Sequence, residues 1–414
     1  MLSRREFLGR TAAGVSCVSL AGVMPRLFEA AADAAVAADK SDHVLVVVEL
    51  AGGNDGLNTV IPFENSLYYK NRPTIGVPKE QVHRLSDQVG LHPNMASAAE
   101  LFKSGKLVIV QGVGYPEPNR SHFRSMEIWH TASTAMKVPT AGWLGRTLDE
   151  RFSPGDEDQV RGLACTGNLP QAFLAEKTHV PVVQQLENFA VAPGAGPAKD
   201  KLLKKLSTSQ GSGVGGQESG KNPVEFLRRQ AETVYRTAER LRDAAAKYKS
   251  DVMYPSDLGQ QLRRAAQVIS ADLGVRLFFC SQGGYDTHSN QATGHPFLLG
   301  ELSDSMAAFQ KDLEQLKVAD KVVVMVFSEF GRRVDENASK GTDHGAGSHM
   351  LLVGSKVKGG LAGSYPSLEN LGDGDLIHAV DFRSVYATVL DNWLGCPAEK
   401  LLGEKYRSLE LFTA

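Results

Sequence analysis

Cysteine is scarce in this chain, with Cys17, Cys165, Cys280 and Cys396 making four in 414 residues. None stands in C-x-x-C spacing, which excludes a thiolate zinc cluster and a disulfide framework. Charge of one sign is also missing, because 45 Lys and Arg face 47 Asp and Glu for a net charge of −2. No basic face for a nucleic acid is implied. Beyond the first two dozen residues no run is long and apolar enough to span a bilayer, so the mature chain is expected to lack a transmembrane span. What remains, 42% hydrophobic and 22% charged, is the composition of a folded globular protein.

The N-terminus reads as an address. Arg4-Arg5 precede a mildly apolar stretch reaching Met24 that Gly9, Gly14 and Gly22 dilute, and Ala35-Val36-Ala37 offers a small-residue cleavage pattern. Residues 1–37 are expected to be a twin-arginine signal, recognised by the twin-arginine export machinery and removed on the way to the periplasm.

Residues 38–414 are expected to form one α/β domain. Val44–Leu50, Leu107–Val113, Val275–Cys280, Val322–Phe327 and Met350–Val353 are short, almost wholly apolar runs of the kind that parallel sheets bury on both faces. Helical patterns lie between them. One starts at Asn222-Pro223 and repeats apolar residues from Leu227 to Ala245; Ser256 or Asp257 caps the next, through Ile269. Leu298 to Leu316 marks a third and Asp381 caps the last. The alternation predicts a mainly parallel, doubly wound sheet with helices on both faces. A flexible insertion is expected near 195–222, where Gly and Ser accumulate.

Open α/β sheets bind ligands beyond the carboxyl ends of their strands. Gly52-Gly53-Asn54-Asp55-Gly56-Leu57-Asn58 follows the first strand, Arg120-Ser121-His122-Phe123 the second, and Gly284-Tyr285-Asp286-Thr287-His288 the third. Ser328-Glu329-Phe330-Gly331-Arg332 follows the fourth, and Gly341-Thr342-Asp343-His344-Gly345 with Ser348 and His349 precedes the fifth. Asp55, Asp286, His288, Glu329, Asp343 and His344 thus form a pool of oxygen and imidazole ligands suited to a divalent metal such as zinc, manganese, magnesium or calcium. Ser121 has two compatible readings, helix N-cap and nucleophile, since a helix N-terminus favours an alkoxide and an incoming anion alike.

These five motifs, in this order, resemble the exported bacterial family called domain of unknown function 1501, over essentially the whole mature chain. That family looks like a distant branch of the alkaline phosphatase superfamily, which includes sulfatases. The resemblance implies an alkaline-phosphatase-like fold, Ser121 in the nucleophile's place, Asp286 and His288 as a ligand pair, Glu329 as the next acid and His344 or His349 as the late histidine. The chain departs from the superfamily in having Glu329-Phe330 where Asp-His is usual, and Ala51-Gly52-Gly53 where an acid usually ends the first strand. The function so implied is metal-dependent hydrolysis of a sulfate or phosphate ester, the substrate being a small anionic ester or a sulfated or phosphorylated polymer. Arg120 or Arg332 would neutralise the ester oxygens, and His122 or His349 would protonate the leaving group. The missing ligand positions keep a second reading open, a catalytically degenerate member that binds a ligand, polysaccharide or protein.

Overall fold

A computed structural model describes residues 42–134, 139–151, 160–186 and 239–413. The expected signal, the start of the helix at Asn222-Pro223 and the insertion near 195–222 lie outside these residues; the helix is seen over 239–247.

We number the main-sheet strands and the helices that cover them in chain order. Strand β1 (Val44–Leu50) is followed by α1 (Ala96–Lys103), β2 (Leu107–Gly114), α2 (His122–Thr131), α3 (Trp143–Arg151) and β3 (Gly162–Ala164). Then come α4 (Asp257–Ser270), β4 (Leu277–Gln282), α5 (Gln291–Gln315), β5 (Val322–Phe327), β6 (Ser348–Val353), β7 (Gly360–Ala362), β8 (Val380–Asp381) and α6 (Phe382–Thr388). The sheet order is β7-β2-β6-β5-β1-β4-β3, with β8 also pairing β2. Mostly parallel strands and helices on both faces are the expected α/β class.

One strand corrects the expectation of parallel runs. β6 is antiparallel to both its neighbours, β2 and β5. An apolar run buried on both faces looks the same in either direction, so composition could not reveal this. The reversal matters for the site: the start of β6, rather than its end, lies at the edge where the parallel strands finish. Asp343 and His344 therefore reach the same edge as Asp286 and Glu329.

All seven residues of β1 are buried. Val44, Val46, Val48 and Leu50 join the core under α1, α4 and α5, whereas Leu45 and Val47 face the core under α2, α3 and α6. Each fully buried aliphatic side chain contributes about 1.5–3 kcal/mol, which fixes β1 as the centre of the sheet. Ser256 caps α4 by accepting from the Gly259 N–H at 2.9 Å, and Asp381 caps α6 by accepting from Arg383 N–H at 2.9 Å. α5 begins at Gln291, about two turns before Leu298, the first leucine of its apolar pattern, and so starts three residues after His288. Among the described residues no helix is long and apolar enough to cross a membrane.

Candidate metal centre

Three imidazoles converge on one carboxylate oxygen beyond the strand ends. Asp286 Oδ1 lies 3.0 Å from His344 Nε2, 3.1 Å from His288 Nε2 and 3.5 Å from His122 Nε2. His288 Nε2 and His344 Nε2 are 2.9 Å apart. Asp286 follows β4, His122 opens α2 after β2, and His344 precedes the reversed β6, so the topology gathers residues more than 150 positions apart.

The outer nitrogen of each ring is committed. His122 Nδ1 meets Glu329 Oε1 at 2.8 Å, His288 Nδ1 meets Asp343 Oδ1 at 3.1 Å, and His344 Nδ1 meets the Arg120 carbonyl at 2.8 Å. An ionised carboxylate or a carbonyl can only accept, so in each pair the ring donates from Nδ1. A neutral imidazole so held turns the lone pair of Nε2 inward. His122 Nε2 is buried without a hydrogen-bond partner.

Asp286 is itself ionised. Burial opposes its charge, but the hydrogen bond from Arg332 and the nearby Arg332 charge outweigh burial and hold its pKa at about 2. Three lone pairs and a carboxylate facing one another repel unless protons or a cation stand between them. His122, Asp286 and His344 each offer a ligand atom within 4.8 Å of the other two, close enough to share one ion. Outer nitrogens tied to carboxylate and carbonyl acceptors are also the usual support of metal-binding histidines. The donor set, imidazole nitrogens with a carboxylate oxygen, suits a divalent metal such as zinc.

Other expected site residues are held elsewhere. Asp55, expected as a ligand, is wholly buried and pairs with Arg72 at 2.5 Å while accepting from the Leu57 and Asn58 N–H groups. Its charge is answered, and it caps the turn Gly56–Thr59. Arg332, expected to meet the ester oxygens, is buried and spends its guanidinium on the Gly53, Thr342, Gly52 and Tyr285 carbonyls and on Asp286. It clamps the loops together. Arg120 forms ion pairs with Asp375 at 2.5 Å and Asp373 at 3.0 Å, so its charge is already answered. Only its backbone reaches the centre, through His344.

Glu329 is buried, and its Oε1 takes the Gly52 N–H at 2.9 Å as well as His122. It supports a ring, as Asp343 does, instead of facing the inward atoms. His349, expected as a proton donor, is buried off the cluster with neither ring nitrogen hydrogen-bonded. Burial drives its pKa down to about 4, against a weak opposing pull from Asp55. A ring kept neutral by burial is a poor acid. His122, expected as an acid, points its free nitrogen at Asp286.

Ser121 stands exposed at the N-cap position of the ten-residue α2, and its side chain makes no capping hydrogen bond. The N-cap position is the expected one, whereas the capping hydrogen bond is not made. The supporting partners were the harder part to foresee: the Gly52 N–H and the Arg120 carbonyl carry no sequence signal, and the Glu329–His122 pair joins residues 207 positions apart.

A family model, described as a protein of unknown function, DUF1501, matches residues 42–405. This chain belongs to the DUF1501 family. No curated protein matches the sequence. Among solved structures, this DUF1501 chain is similar to the C-terminal periplasmic domain of EcEptC from Escherichia coli, in complex with Zn. That match has 10% identity over 76% of this chain and 73% of the other, at a TM-score of 0.36. It is also similar to the PsFucS1 sulfatase from Pseudoalteromonas sp., at 12% identity over 90% and 72% of the two chains and a TM-score of 0.35. An alkaline phosphatase from the Antarctic bacterium TAB5 matches at 11% identity over 75% and 92%, with a TM-score of 0.30.

Proposed function

We propose that this DUF1501 protein is an exported, metal-dependent hydrolase of sulfate or phosphate esters, with His122, His288, His344 and Asp286 as ligands. The observation that carries the reading is the inward convergence of three imidazole nitrogens on an ionised carboxylate, each ring fixed from behind. A bound zinc supplies Lewis-acid stabilisation of a sulfuryl or phosphoryl oxygen.

The chain's own residues supply the rest. Ser121 adjoins the ligand His122 and leads a helix whose first N–H groups lack intrahelical partners, a setting that favours an anionic ester. Its Oγ attacks sulfur or phosphorus in line, the ester oxygen departs as an alcohol carrying the serine proton, and water then hydrolyses the serine ester. Glu329 and Asp343 hold their imidazoles in the tautomer that binds metal.

Elemental analysis and turnover of 4-nitrophenyl sulfate and 4-nitrophenyl phosphate test this reading. One zinc per chain, lost in His122→Ala, is expected. Ser121→Ala should retain the metal and lose at least about 100-fold in turnover, as expected for removal of a covalent nucleophile. A chain that takes up no divalent metal, or a Ser121→Ala variant with unchanged turnover, refutes it.

A further inference from the structure

A cleft of about 750 Å³ opens beside this centre, lined by Pro118, Asn119, Arg120, Asp373, Asp375 and Ile377 among others. Its size falls within the range of small-molecule sites, about 300–1,000 Å³. Arg120 is common to both places: its side chain lines the cleft, and its carbonyl holds His344. Whatever occupies the cleft is therefore beside the candidate metal ligands.

The charges lining it are answered. Arg120 pairs with Asp373 and Asp375, and Arg333 approaches Asp373 at 3.8 Å. Two carboxylates and the Arg120 guanidinium line the cleft, and Arg333 meets Asp373 from outside the lining, so little net field is left for either an anion or a cation. Hydrogen-bonding capacity remains. The Asp375 oxygen not used by Arg120 is buried without a partner, in a residue only 2% exposed. Carboxylate, guanidinium and amide groups offer paired donors and acceptors at fixed spacing, which match adjacent hydroxyls. Ile377, 45% exposed, adds an apolar wall.

We propose that this cleft binds a neutral polyhydroxylated unit, a sugar residue, which makes the substrate a sulfate or phosphate ester carried on a carbohydrate. The assignment as leaving-group subsite rests on the hydrolase reading, whereas the cleft's affinity for the sugar does not. The ester group goes to the imidazole cluster and the sugar ring to Asp373, Asp375 and Ile377.

An array of neutral and sulfated di- to tetrasaccharides, probed with the whole zinc-treated protein, tests it. Retention of some glycans is expected, weakened at least tenfold in both Asp373→Ala and Ile377→Asp. Both side chains are exposed, so the fold survives, and zinc content should stay at the wild-type level. Glycan binding that persists in His122→Ala, with zinc lost, supports the cleft even where turnover fails. The proposal is overturned if zinc-bound protein retains no glycan, or if retention is the same in both cleft variants.

Discussion

At the residue scale, the environment of each titratable group separates the histidines by task. His122, His288 and His344 have their outer nitrogens fixed and their inner ones turned together. His92, His295 and His349 are buried within reach of the Asp55 charge, each with a pKa driven down to about 4, mainly by burial. These three rings are neutral in the fold and titrate near 6.5 when unfolded. Between those values the unfolded chain binds more protons, so their effect on stability is fully present above about pH 6.5. It is lost as the pH falls toward 4. Each contributes on the order of 3 kcal/mol to that loss. His349 isolates the effect, because it makes no hydrogen bond and packs 5.3 Å from the Tyr365 ring. His349→Phe should match the parent in urea denaturation at pH 7.5 and exceed it by a few kcal/mol at pH 4.5. An unchanged pH slope would show that His349 is not buried as a neutral ring.

At the scale of elements, the site is assembled by turns that approach one another backbone to backbone. Gly52 follows β1 with φ +121°, and a Cβ there would fall 2.5 Å from the Asp286 nitrogen. The Ala51 N–H donates to the Gln282 carbonyl at 2.9 Å, while the Tyr285 N–H donates to the Ala51 carbonyl at 3.2 Å. The glycine is required by this approach. Gly52→Ala should push Asp286 out of line and weaken zinc affinity at least tenfold by competition with a chromophoric chelator. Gly105 is the control, with φ +73° but open space around its would-be Cβ. Gly105→Ala pays only the conformational penalty, about 1–2 kcal/mol, with zinc affinity unchanged. Equal loss in both variants would separate the glycine from the metal centre.

The same turns explain what could be read from sequence. β1 and β5 appear at the boundaries their apolar runs suggest, because a strand buried on both faces has a continuous signature. The motif residues were legible because strand ends are where chains change from apolar to polar. Which carboxylate answers which cation was not legible. Asp55 and Glu329 look equally acidic in sequence, yet one meets Arg72 and the other His122, and only the packed fold sets those pairings.

For the whole molecule, near-neutral charge means that no general field draws an ion or an anionic ester in, so the affinity must be local. The candidate ligands come from three separate segments, the start of α2, the loop after β4 and the loop before β6. A cation bound to all three ties β2, β4 and β6 together at one edge of the sheet. It binds the folded chain far better than the unfolded one, where those segments are apart. Stabilisation then follows RT ln(1 + [L]/Kd), about 2.7 kcal/mol at a hundredfold excess over Kd. Scanning calorimetry of the full chain should therefore show a higher melting temperature with zinc, reversed by a chelator and absent in His122→Ala. The shift should shrink between pH 7.5 and 5, because imidazole must be unprotonated to hold a metal. An equal shift in the parent and in His122→Ala would place the zinc elsewhere on the surface.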